Sequence, residues 1–145
     1  MTTFSTERAI PAGPSAVFAA FEDPARLARW WGPDGFSNTF DTFEFRPGGL
    51  WIFSMHGPTG TTYPNEALFA SIVPDREVVI RHVSQPHFEL TVRLQEHPAG
   101  TLVAWDQAFD DDAVAEAVRH IVVPANEQNL DRLSAEVASD ALSAT

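Results

Sequence analysis

The sequence predicts an α+β fold in which a curved antiparallel β-sheet, in the chain order β-α-α-β6-α, wraps around a long C-terminal helix. Three observations predict it. Alternating apolar and polar residues recur between Pro- and Gly-rich turns from Phe36 to Phe109. Two short Pro-started helical patterns precede that region, and one long helical period follows it. Six hairpin-linked strands in succession curl, and the long helix must bury its apolar stripe in the concave side.

The elements follow in order. Residues 4–10 alternate loosely as a first strand, stopped by Pro11 and Gly13. Pro14 opens a helix with Val17, Phe18 and Phe21 on one face, and Asp23-Pro24 caps and opens a second carrying Leu27, Trp30 and Trp31, ended by Gly32-Pro33. Strands are predicted at 38–45, 50–55, 61–73, 77–83, 88–94 and 101–109, with turns at Arg46-Pro47-Gly48-Gly49, Pro74-Asp75 and Pro98-Ala99-Gly100. The stretch 88–94 is the cleanest, with Phe88, Leu90, Val92 and Leu94 on one face and Glu89, Thr91, Arg93 and Gln95 on the other. Asp110-Asp111-Asp112 reads as a helix cap. Helical spacing then joins Val114, Val118, Ile121 or Val122, Ala125, Leu130, Leu133 and Val137. Pro124 removes a helix donor, so a short helix over 113–120 and a second from Val123 or Pro124 are expected. The stripe Val122, Ala125, Leu133 and Val137 is expected to pack on Phe88, Leu90 and Val92. A single domain is expected over residues 1–138, with a flexible tail at 139–145.

Length and charge narrow the function. A chain of 145 residues is one domain's worth, large enough to fold without staples. A net charge of −11 argues against nucleic acid and against anionic membrane surfaces as partners. There is no cysteine, which excludes disulfides, thiolate catalysis and Cys-ligated metal. The five histidines show no ligand spacing, so no metal and no cofactor are expected. The N-terminal residues do not read as a secretory signal, and a cytoplasmic location is expected.

Strand parity selects the candidate site. Trp51, Phe53 and Met55 share a face of one strand, Asn65 and Phe69 of the next, His82 ends a third, and Trp105 and Gln107 share a face of the last. If the rings face inward, Asn65, His82 and Gln107 are polar groups in an apolar concavity, which is how small-molecule sites orient a ligand. With Val122 from the helix, these nine residues are the candidate ligand-binding set; no catalytic residue is assigned. Each has a plainer role: His82 satisfied locally, Asn65 bonded to backbone, the rings as core.

The run Trp30-Trp31-Gly32-Pro33-x-Gly35-Phe36, followed by Phe43-x-Phe45-Arg46-Pro47-Gly48-Gly49-x-Trp51-x-Phe53-x-Met55-His56-Gly57-Pro58-x-Gly60, resembles the START-like helix-grip (SRPBCC) superfamily. More narrowly, it is similar to the branch homologous to the C-terminal domain of the heat-shock chaperone ATPase activator. Tyr63-x-Asn65, Ile72-Val73-Pro74 and Asn129-Leu130-Asp131-Arg132-Leu133 extend the likeness, which spans about residues 7–137. The resemblance implies a helix-grip fold. Members of the superfamily include ligand carriers, aromatic-polyketide cyclases and chaperone activators. The chaperone activators add an N-terminal domain, which is not expected in these 145 residues, and Pro124 departs from the family's uninterrupted last helix. The leading expectation is therefore binding of a small hydrophobic, ring-containing ligand between sheet and helix, with homodimer formation left open. The alternatives are a polyketide cyclase- or dehydratase-like enzyme, with His82 moving protons, and a stress-related chaperone-interacting protein.

Overall fold

The computed structural model describes the backbone of residues 1–143 and side chains through residue 140. The elements are β1 (Thr2–Ile10), α1 (Pro14–Glu22), α2 (Pro24–Trp30), β2 (Ser37–Phe43), β3 (Leu50–His56), β4 (Thr62–Val73), β5 (Glu77–His82), β6 (Phe88–His97), β7 (Gly100–Phe109) and α3 (Asp112–Ser143). This is the α+β helix-grip order. Pro occupies the first turn of both α1 and α2, and the Asp23 carboxylate accepts the Ala25 N–H at 3.0 Å as the α2 cap.

All seven strands form one antiparallel sheet in the order β1-β7-β6-β5-β4-β3-β2. Consecutive strands are hairpin neighbours except β1, which closes on β7. Register irregularities at Phe40/Thr42 and Phe69/Ser71 sit in the β2–β5 half; such bulges bend and twist a strand pair. Parity holds across the sheet. Trp51, Phe53, Ala67, Phe69, Val78, Ile80, His82, Leu90, Val92, Val103, Trp105 and Phe109 are all buried on the inner face.

The C-terminal region differs from the sequence expectation. α3 is one helix with Pro124 inside it, where two helices were predicted. Pro124 is exposed, beside exposed Ile121 and Val123, so water can reach the backbone around the missing bond. Packing fixes the helix on both sides of that point. Ala115 is buried against Phe4 and Phe109, while Leu130, Leu133 and Val137 join Leu90, Val92 and Leu94 in the main core. Val122 and Ala125, predicted in the buried stripe, are only half-buried. The predicted flexible tail is helical as far as Ser143; residues 144–145 lie outside the described part. The Asp111 carboxylate accepts the N–H groups of Ala113 at 2.8 Å and Val114 at 3.3 Å, which makes it the cap of α3. Among the described residues no helix is long and apolar enough to cross a membrane.

Candidate functional site

Two polar side chains on neighbouring strands meet at one end of the inner face. β5 alternates Val78, Ile80 and His82 inward, so its last residue delivers an imidazole to the sheet's rim. His82 lies opposite Ala67 of β4, and Asn65 is the next inward position along that strand. The imidazole Nε2 is 2.7 Å from Asn65 Oδ1, and Nδ1 donates to the Pro86 carbonyl at 2.8 Å. The ring stacks on Phe88 with centroids 4.6 Å apart and planes 7° from parallel. The Asn65 amide nitrogen donates to the Tyr63 carbonyl at 2.9 Å. His82 is 5% exposed, and this burial, together with Arg81 and His87 nearby, pushes its pKa down; Arg81 itself is paired with Asp110.

Gln107 belongs to the same face but to a different strand. Following the register, it lies two strands and one pleat repeat from His82, about 12 Å between backbones. Its Oε1 accepts from the Asn126 amide of α3 at 3.1 Å, a strut between sheet and helix. Val122, one helical turn earlier, stands with Phe88, Val114 and Val118 beside the Phe4–Phe109 pair. From residue 116 to residue 128 no α3 side chain is fully buried. Here the helix stands over half-covered side chains, with Met55 and the 48%-exposed Tyr63 at the opposite strand ends.

The large rings of the candidate set behave differently. Trp51 stacks on Phe53 at 4.1 Å and lies parallel to Phe69 at 5.6 Å, and Trp31 meets it edge-on at 5.1 Å. Trp105 sits 6.4 Å from Trp30 and 6.2 Å from Trp31. These rings pack on one another, with the indole N–H groups of Trp51 and Trp105 buried and unpartnered among the described residues. Of the nine candidates, then, His82 and Asn65 are in direct contact, Gln107 and Val122 line the α3 side, Met55 lies toward the rim, and the four rings form the core behind.

Sequence reasoning missed the polar side chains of α3 that hold the site's wall. Arg132 donates to the carbonyls of Arg29, Trp31, Gly32, Pro33 and Phe36, at 2.7 to 3.4 Å. Asn129, buried, donates to the Trp30 carbonyl at 3.1 Å and accepts the Gly32 N–H at 3.3 Å. The loop after α2 is thereby fastened to α3. Gly32 is required there: its φ is +99°, and a Cβ would come within 2.8 Å of Met55 Cε. A helical stripe search looks for apolar side chains and so passes over Asn126, Asn129 and Arg132. Asn129 and Arg132 stood in the sequence only as part of the motif Asn129-Leu130-Asp131-Arg132-Leu133, which gave them no role.

Among the described residues no group of three or more His, Asp or Glu side chains is placed to hold a metal. A groove of about 1040 Å³ opens at the far end of β5, between Pro14, Val73, Arg76, Arg93 and Glu96. Its lining is charged and mixed in sign, and it shares no residue with the His82 end.

Residues 11–138 match the model of the family described as activator of Hsp90 ATPase homolog 1-like protein. The chain belongs to that family. Solved structures agree on the fold of this activator-homologue family. A protein from Arthrobacter aurescens superposes with a TM-score of 0.87 at 24% identity, covering 94% of this chain and 86% of that one. The activator-homologue-like protein of Aeromonas hydrophila gives 0.77 at 20%, covering 97% and 95%. A protein from Chromobacterium violaceum gives 0.81 at 23%, covering 93% and 96%. No curated protein matches the chain at a significant level. At these identities the activator-homologue likeness carries the fold, and the function must be argued from the site.

Proposed function

We propose that the protein binds a small, mostly hydrophobic, ring-containing molecule at the His82 end of the inner face, beneath residues 116–128 of α3, and that it does so in the cytoplasm. The observation that carries this reading is the contrast along α3. That span buries no side chain fully: its own Val118, Val122 and Asn126 are half-buried, and beneath them lie the half-buried Phe88 and the polar Gln107. A few convergent polar groups in apolar surroundings are what a ligand site offers. Phe88, Val122 and Met55 supply the apolar contact; His82, Asn65 and Gln107 orient the molecule. Trp51, Phe53, Phe69 and Trp105 back the site and keep its wall rigid.

The test is titration with an environment-sensitive hydrophobic dye, on the parent and on Val122→Trp. Val122 is half-buried, so the larger ring fills the space under the helix. Dye affinity is expected to fall at least tenfold, with the melting midpoint moving by no more than about 3 °C, the equivalent of about 1 kcal/mol in a domain this size. Unchanged dye affinity in the variant removes the site from this place.

A further inference from the structure

We propose that the molecule taken by this site is a ring-bearing oxygen acid (a carboxylic acid, phenol or enol), bound as its anion with the acid proton held on Nε2 of His82. The proposal rests on the reading of this end of the sheet as a ligand site, and names the ligand's class.

The argument is one of donors and acceptors. A carbonyl only accepts, so the 2.8 Å contact with Pro86 places a proton on Nδ1 of His82. The Tyr63 carbonyl likewise only accepts, so Asn65 must present its NH2 group there and its oxygen to His82. Turning the amide over would set Oδ1 against the Tyr63 carbonyl oxygen instead. Nε2 therefore faces an oxygen at 2.7 Å, a contact that is favourable only when Nε2 also carries a proton. The arrangement is built for an imidazolium.

Burial opposes that charge. The neighbours of His82 are Arg81 on its own strand, tied to Asp110, and His87 after the turn, and neither supplies the negative charge that an imidazolium would need. β4 offers the neutral amide of Asn65, β6 the ring face of Phe88, and the nearest polar group of α3 is the neutral Asn126. Without a ligand, neutral His82 leaves two lone pairs facing each other. A bound anion removes the conflict by supplying the missing negative charge, after which both imidazolium N–H groups are satisfied by oxygen and the cation rests on the Phe88 face. Gln107, whose oxygen is taken by Asn126, keeps its NH2 group for a second acceptor on the ligand.

The proton balance is closed. The ligand O–H bond breaks heterolytically, an N–H bond forms at Nε2, no electrons are transferred, and release reverses the step. A ligand that is already ionised takes the same proton from water, so its binding consumes one proton.

The probes are 2-naphthoate and its neutral counterpart 2-naphthamide, with imidazole nitrogens observed by NMR at pH 8 on ¹⁵N-labelled protein. The free protein is expected to show His82 with Nδ1 protonated and Nε2 bare. Saturation with 2-naphthoate is expected to protonate Nε2, with uptake of about one proton by calorimetry in two buffers; 2-naphthamide leaves Nε2 bare. His82→Gln should weaken 2-naphthoate at least tenfold and 2-naphthamide less than twofold. Asn65→Asp places a carboxylate beside the ring, so Nε2 should be protonated without ligand and 2-naphthoate should weaken. A free protein protonated on Nε2 and bare on Nδ1, or a 2-naphthoate complex with Nε2 bare, overturns the proposal. Binding of 2-naphthamide but not 2-naphthoate overturns the acid class and leaves the site standing; binding of neither overturns both.

Discussion

The two halves of α3 make opposite use of the same sheet. Beyond residue 128, Leu130, Leu133 and Val137 reach the main core, while Asn129 and Arg132 fasten the loop after α2 and Glu136 pairs with Arg26 and Arg29. The aromatic layer there is ring on ring. Before residue 128 the helix meets the sheet through Ala115, the half-buried Val114, Val118 and Val122 beside Phe4 and Phe109, the Arg8–Glu127 pair and the Asn126–Gln107 strut, and from residue 116 to residue 128 none of its side chains is fully buried. One half supplies stability, and the other is the half in which the proposed ligand site lies. Pro124 falls in the second half, where a missing helix bond disturbs no buried packing.

Substitutions can break this contrast, and the largest effect belongs to the packed half. Leu133→Ala should lose about 4 kcal/mol in a urea melt, since Leu133 is fully buried and a fixed aromatic layer cannot collapse into the hole. A loss below about half a kcal/mol would place it outside the core. Glu136→Gln should cost about 3 kcal/mol, because it leaves the 9%-exposed Arg26 guanidinium facing only Asp140 at 3.6 Å. An effect under about 1 kcal/mol would mean that solvent already screens the pair. In the loose half, Pro124→Ala should gain about 1 kcal/mol by restoring a helix donor, measured by the same melt. A loss would show that the proline fits a bend the site needs.

The smallest effect expected is on pH dependence, and it separates the halves by window. Hydrogen bonds from Arg29 and Arg26 hold the Glu136 carboxyl below the usual range. Its contribution is present above the unfolded value of about 4.3 and is lost as pH falls through its folded value. Burial holds the His82 pKa below the unfolded value of about 6.5, so the folded protein binds fewer protons than the unfolded one. Stability should therefore be complete above about pH 6.5 and decline as pH drops toward the folded value. His82→Gln should flatten that upper window and leave the acidic one unchanged. An identical profile in parent and variant would show that His82 does not titrate in this range.

The inner face of the sheet was legible in the chain, and the contrast between the two halves of α3 was not. Period-two alternation put Trp51, Phe53, Phe69, His82, Trp105 and Gln107 on one face, and all of them lie there. Alternation reports a face and is silent on what covers it, so ring against ring and ring against ligand read alike. Stripe spacing along α3 found Leu130, Leu133 and Val137. It also included Val122 and Ala125, because a helix period cannot reveal how deeply each position of the stripe is covered. Pro124 read as a break because local propensity was weighed without the tertiary anchors on either side of it. The His82–Asn65 contact depends on the β4–β5 register, and the Arg132 latch on a loop nearly a hundred residues away, which no local pattern encodes.

The most direct test of the account is a map of backbone amide shift changes during titration with 2-naphthoate. The account predicts changes concentrated at Asn65, His82, Phe88, Gln107, Val122 and Asn126, with Leu130, Leu133, Val137 and Trp30 nearly still. Changes centred on the groove at Val73, Arg76 and Arg93, or spread through the Trp30–Trp51 core, would contradict it.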